Sequence, residues 1–330
     1  MKTTRLAWAS ALAAGAMVAA VALPGAAQSP SAAAPAASAL TAPGKNITLM
    51  VGVKGDPFYV SMECGARVAA AAAGVNLDVQ GPDKFDATLQ NPMLDAVGAG
   101  KPDALLVAPN DRTASAGPLK TIQDGGAKIV LVDTTLENPD MAVSQIASDN
   151  EGGGRAAAKA LSEQIGGSGK VFVVNVKPGI STTDLRAKGF QDEAKKLGLE
   201  YVGMEYNQDQ PDKAAAIVKA QLAKTPDLKG IFATNLFAAE GSAAGLRESG
   251  NKDVKIVSFD AGPKQVEDLK NGTIQALVAQ KPADIGAQGV QQAVAALKGE
   301  TTKPTIATGS VIITKDNLAQ NQDAVYKSTC

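Results

Sequence analysis

Short β-branched or apolar runs, each followed by a longer segment of helical spacing, recur in two series along this chain, and that rhythm leaves few folds open. The first series holds residues 47–53, 75–79, 104–108, 129–132 and 143–147; the second holds 171–176, 201–204, 230–233, 254–259 and 274–279. Between them, apolar residues fall three and four apart, as in Ala187, Phe190, Ala194 and Leu197, or Gly286, Val290, Ala293, Val294 and Leu297, so each helix can lay one face on a sheet. Strands alternating with such helices make parallel βαβ units. Ten strands overfill one such sheet, so the reading is α/β with two doubly wound parallel-sheet lobes. Asp56-Pro57 supplies a cap and a first-turn proline for the first helix, and Gly74 ends it. Residues 310–314 form a further strand-like run in neither series and read as a late crossing between lobes.

The first 27 residues read as a cleaved export signal: a basic start carrying Lys2 and Arg5, an apolar stretch from Leu6 to Leu23, and small residues around Gly25 and Ala27. Residues 28–44 are Ala, Pro and Ser with almost no charge, a flexible leader, and order is expected from about Lys45. Export places the chain in the periplasm or another extracytoplasmic space, where Cys64 and Cys330 are free to pair. The alternative is a buried Cys64 packing as a small hydrophobe beside a free terminal thiol. A formal charge of -1 over the chain, which falls further when Lys2 and Arg5 leave, argues against nucleic acid and anionic membrane as partners.

Histidine is wholly missing, which removes the commonest general base, the usual zinc ligand and every imidazole-dependent triad; neither an enzyme nor a cofactor or metal site is expected. Gly166-Gly167-Ser168-Gly169-Lys170 lacks the spacing of a phosphate loop and precedes a strand, so it reads as a turn. Gly152-Gly153-Gly154 opens a helix; close packing of that helix and anion binding on its amides are both open.

Ligands of open parallel sheets bind outside the carboxyl ends of the strands. Polar residues stand at those ends in both series: Asp56, Asp133, Asn235, Asp260 and Gln280. Carboxylates and amides there suit the directional hydrogen bonding of a sugar or polyol. Phe58 and Tyr59 can cover the apolar face of such a ligand, and Arg186, in the helix after the sixth strand, can fork two hydrogen bonds onto it. Each has a plainer reading: Asp56 as a helix cap, one ring as core, Arg186 as a surface partner of Asp184 or Asp192, Asp133 and Asp260 as turn starters. Lys54 and Lys177, also at strand ends, read as surface lysines.

With these positions in hand, residues 46–313 resemble the type I periplasmic sugar-binding proteins of the ribose-binding-like group. The resemblance is carried by Asp56-Pro57-Phe58-Tyr59, Ile146-Ala147-Ser148-Asp149-Asn150, Arg186 before Gly189-Phe190, Asn235 in Phe232-Ala233-Thr234-Asn235, Asp260 in Ser258-Phe259-Asp260-Ala261-Gly262, and Gln280 in Ala279-Gln280-Lys281-Pro282. It implies a fold of two lobes joined by three hinge crossings, near Asp149 and Asn150, near Gln280, and near Ala307 to Gly309. The lobes would be 45–148 plus 281–306 and 149–280 plus 307–330. It further implies a monomer that captures a sugar or polyol with Asp56, Phe58, Tyr59, Asp133, Arg186, Asn235, Asp260 and Gln280, and delivers it to an ABC permease. The alternative within this fold is a ligand-sensing receptor for a chemosensory or kinase partner. Two departures from the family pattern stand out: Asp133-Thr134 where Asp-Arg is usual, and Asp56 where Asn is common.

Overall fold

The computed structural model describes residues 40–330, so the export signal, its cleavage after Ala27 and the leader up to residue 39 lie outside the described residues. In chain order the strands are β1 (Asn46–Met50), β2 (Asn76–Gln80), β3 (Ala104–Val107), β4 (Lys128–Val132), β5 (Ala142–Ser148), β6 (Lys170–Asn175), β7 (Glu200–Tyr206), β8 (Leu228–Ala233), β9 (Lys255–Phe259), β10 (Ala276–Ala279), β11 (Thr305–Thr308) and β12 (Val311–Thr314). The helices are α1 (Pro57–Ala73), α2 (Ala87–Ala99), α3 (Ala116–Asp124), α4 (Asn150–Gln164), α5 (Ser181–Lys196), α6 (Pro211–Lys224), α7 (Leu236–Ser249), α8 (Pro263–Asn271) and α9 (Pro282–Leu297).

The strands form two six-stranded sheets, ordered β11-β5-β4-β3-β1-β2 and β12-β10-β9-β8-β6-β7. The first is parallel throughout, and in the second only β12 runs antiparallel, against β10. Helices cover both faces, which is why the central runs Ala-Leu-Leu-Val of β3 and Ala-Leu-Val-Ala of β10 are buried at every residue while β2 and β7, at the sheet edges, are not. The first helix forms as its cap chemistry predicts: Asp56 accepts from Phe58 N at 2.8 Å, Pro57 opens the helix, and Gly74 closes it in the left-handed region.

Three helix pairs, α1 with α9, α4 with α5 and α6 with α7, approach so closely that only glycine fits between them. A Cβ on Gly286 of α9 would meet Met62 O of α1, and one on Gly154 of α4 would meet Arg186 O of α5, with Gly189 facing Glu151 O in return. The glycines that open α4 therefore serve packing, and Gly153 lies under the Phe259 ring.

The chain passes between the sheets three times, after β5, after β10, and between β11 and β12. These crossings are tied together. Ser148 Oγ donates to Gln280 Oε1 at 2.6 Å and lies 3.4 Å from Thr308 Oγ1, and Asp149 N donates to Thr308 O at 3.0 Å.

Three differences from the sequence reading concern the chain's ends. Order starts earlier than Lys45: Ala42 is buried and donates to Ala73 O at 3.0 Å, and Leu40 packs on the core, because the end of α1 leaves carbonyls and an apolar surface to cover. The first sheet gains β11, which runs to Thr308, past the expected lobe boundary at residue 306; its pairing with β5 overrides a Pro- and Thr-rich sequence with little strand signal. The tail does not stay with the second lobe. Tyr326 N donates to Ala261 O at 3.0 Å, but Lys327 N donates to Ser61 Oγ at 2.7 Å and Cys330 is bonded to Cys64, both on α1, with 5.3 Å between the two Cα atoms. The cysteines are bridged, as the exported-chain reading expected.

Candidate functional site

The carboxyl ends of both sheets face one another across a narrow hollow of about 50 Å³. Asp56, Phe58, Tyr59 and Asp133 line it from the first lobe, Arg186, Asn235 and Asp260 from the second, and Gln280 from the hinge. All eight residues singled out in the sequence thus meet in one place.

The two lobes present their key carboxylates by the same device. Asp133 follows β4 and Asp260 follows β9; each backbone N–H stays bonded to the neighbouring strand, Asp133 to Ile146 O at 2.8 Å and Asp260 to Val278 O at 2.9 Å. Each then turns into the left-handed region, with φ of 64° and 76°. Asp tolerates that conformation better than most residues, and the turn swings its side chain off the sheet edge into the hollow. Asp133 accepts from Tyr59 OH at 2.8 Å. Asp260 accepts from Leu236 N at 3.0 Å through one oxygen, and from Gln280 Nε2 at 2.6 Å and Tyr326 OH at 3.1 Å through the other.

Arg186 is buried, in the second turn of α5, and pairs with neither Asp184 nor Asp192. Its guanidinium donates to Asn150 Oδ1 at 2.8 Å and Thr234 O at 3.0 Å and lies 3.9 Å over the Phe259 ring. Those contacts hold the fork in place with donors to spare. Asn150, at the first hinge crossing, is buried and also bonds Ser148 O, while Asp149 is exposed and caps α4 through Gly152 N. Asn235 both caps α7 and donates to Asp209 Oδ1 at 2.7 Å. Asp56 is at once a cap and a wall of the hollow. Phe58 and Tyr59 are both buried and both line it, packed edge to face with centroids 5.1 Å apart.

The sequence reading missed Phe85, Thr182, Thr183 and Asp209 among the lining residues. Asp209 and Phe85 obey the rule that found the others, since they follow β7 and β2. Asp209 lies three residues past the end of β7, and Phe85 sits in a loop after β2 whose course sequence does not fix. Thr183 is buried, and its Oγ1 has no protein partner.

Four carboxylates and one guanidinium line the hollow, and the electrostatics follow. Burial pushes Asp133 up to about 6, with the Asp260 charge adding to the rise and Arg186 and the Tyr59 hydrogen bond opposing it. Burial also lifts Asp209 to about 6, against the hydrogen bond from Asn235, and holds Asp56 well above the carboxylate range, helped by the Asp260 charge. Burial raises the Tyr59 phenol as well, so it remains a donor to Asp133.

The lobes touch at the mouth of the hollow. Thr135 N donates to Ser181 Oγ at 3.0 Å, and Lys177 Nζ reaches Phe85 O at 3.4 Å. Lys177 is thus half-buried at the closure rather than free on the surface.

A family model described as the periplasmic binding protein domain matches residues 47–301. The chain belongs to the periplasmic binding protein family. Among curated relatives, the ribose import binding protein of Salmonella typhimurium is 30% identical over 254 residues, covering 77% of this chain and 85% of that one. Among solved structures, an ABC transporter solute binding protein from Agrobacterium vitis bound with α-D-tagatopyranose is 41% identical with a TM-score of 0.84, covering 86% of this chain and 99% of that one. A second Agrobacterium vitis solute binding protein, with bound D-fucose, is 28% identical with a TM-score of 0.81, covering 85% and 99%. In this periplasmic binding protein the Thr134 side chain donates to Pro109 O at 2.8 Å and is buried, and among the described residues Arg186 is the one arginine that lines the hollow. No helix among the described residues is long and apolar enough to cross a membrane.

Proposed function

We propose that this protein is an extracytoplasmic, non-enzymatic receptor that closes over one monosaccharide and delivers it to an ABC importer, working as a monomer that binds no nucleic acid and reaches its compartment through the cleaved export signal. The observation that carries the reading is the single hollow lined from both lobes and the hinge by carboxylates, amides, one guanidinium and aromatic rings. A sugar needs both linings: hydroxyls meet Asp133, Asp260, Asn235 and the partnerless Thr183 hydroxyl, and the C–H face meets Phe58. A ligand touching both lobes stabilises the closed form by its differential affinity for it.

The Agrobacterium vitis relative at 41% identity holds a ketohexose, and Thr134 stands where the resembled family usually has Arg. D-Tagatose and its epimers are therefore the first ligands to test. Calorimetric titration and thermal shift of the mature protein against D-tagatose, D-fucose, D-arabinose and D-ribose should give at least one dissociation constant at or below the micromolar range, about 8 kcal/mol of binding free energy. A ligand at 100 times its dissociation constant adds about 2.7 kcal/mol to the folded state. Absence of any shift or heat across sugars, polyols and sugar acids refutes the reading.

A further inference from the structure

We propose that Tyr326, carried in by the disulfide-anchored C-terminal tail, is a positioning residue of the ligand site that fixes the Asp260 carboxylate and the Gln280 hinge peptide; the proposal rests on the sugar-receptor reading.

Tyr326 is 4% exposed, and its hydroxyl lies between Gln280 N at 3.0 Å and Asp260 Oδ1 at 3.1 Å. A backbone N–H can only donate, so the phenol oxygen accepts from Gln280 and its single proton is directed to Asp260. Burial raises the phenol well above its ordinary range, which keeps that proton in place. The same carboxylate oxygen takes Gln280 Nε2, and Gln280 Oε1 takes Ser148 Oγ, so Tyr326 ends a continuous path from the hinge crossings to a carboxylate that lines the hollow. Its ring also backs Phe58, with centroids 5.8 Å apart.

The tail holds this side chain from both lobes. Residue 326 is bonded through its N–H to Ala261 of the second, while residues 327 and 330 are fixed to Ser61 and Cys64 of α1 in the first. Nothing in the strand-end rule points to residue 326, and the family match ends at residue 301. A filler of the hinge would need the ring alone; the directed proton on a lining carboxylate is what assigns the positioning role.

Tyr326→Phe keeps the ring and removes that proton. Hydrogen bonds to charged groups are worth about 1.5–3 kcal/mol, so titration with D-tagatose should show affinity lowered about tenfold or more. Asp260→Ala should remove D-tagatose binding. Urea unfolding of the sugar-free parent, both single variants and the double variant closes a mutant cycle: the Tyr326→Phe shift should at least halve in the Asp260→Ala background, which a hinge filler would not do. If Tyr326→Phe binds like the parent while Asp260→Ala does not, the positioning role is overturned and the sugar site stands. If the parent itself gives no shift or heat with any sugar, polyol or sugar acid, the receptor reading is overturned, and the sugar-free cycle decides Tyr326 alone: equal shifts in both backgrounds refute it.

Discussion

Asp133→Asn should make the sugar-free protein more stable at neutral pH while it loses its ligand. In the unfolded chain the Asp133 carboxyl gives up its proton near 3.8; in the folded protein it holds the proton until about 6. Between those values the folded form binds more protons, so stability falls as pH rises through the window, and the loss is complete above it. The displacement corresponds to about 3 kcal/mol at pH 7.5 and about 1 kcal/mol at pH 4.5. Asn keeps the acceptor for Tyr59 OH and removes the charge, so it should recover most of that difference, raising the unfolding free energy by about 2–3 kcal/mol at pH 7.5 and by about 1 kcal/mol or less at pH 4.5. Urea unfolding at the two pH values reads this directly, and titration with the sugar should show a large loss of affinity, since a charged acceptor has become a neutral one. A variant less stable than the parent at pH 7.5, or a gain of equal size at both pH values, would show that burial does not burden this carboxylate and that the site is not held under strain for function.

Other perturbations test other parts of the structure. Cys330→Ser should lower stability by up to about 5 kcal/mol, because the bridge spans 266 residues of the unfolded chain; urea midpoints under non-reducing conditions check it, and reduction should leave the variant unchanged. Gly154→Ala should cost about 1–3 kcal/mol and weaken sugar binding together, since its methyl meets Arg186 O and forces α5 away from the hollow; binding unaffected by a folded variant would refute that link. Arg186→Lys should weaken binding about tenfold or more, because an ammonium cannot reproduce a fork that reaches Asn150 and Thr234 at once, and calorimetry of the folded variant measures the loss.

Much of the site was legible because chain direction does most of the placing. A polar residue just past a parallel strand has nowhere to go but the crevice, so Asp133, Asn235, Asp260 and Gln280 could be picked out from strand periodicity alone. Their partners could not. That Tyr59 bonds Asp133, or that Arg186 lies over Phe259, depends on how the two lobes and their helices sit, which no local spacing encodes. The Gly152-Gly153-Gly154 triplet left close packing and anion binding both open, and the packing partner, the Arg186 carbonyl facing Gly154, ties that helix to the site. β11 was missed because it is a strand by virtue of its neighbour β5. Tyr326 lies beyond any periodic element, and only the fold returns it to the hinge.

The last strand of each sheet comes from adjacent stretches late in the chain, Thr305–Thr308 for one and Val311–Thr314 for the other. Until those residues arrive, the open edges of β5 and β10 have no partner, so neither half can finish before the other. A polypeptide built this way stays incompletely folded until both of these late strands are in place.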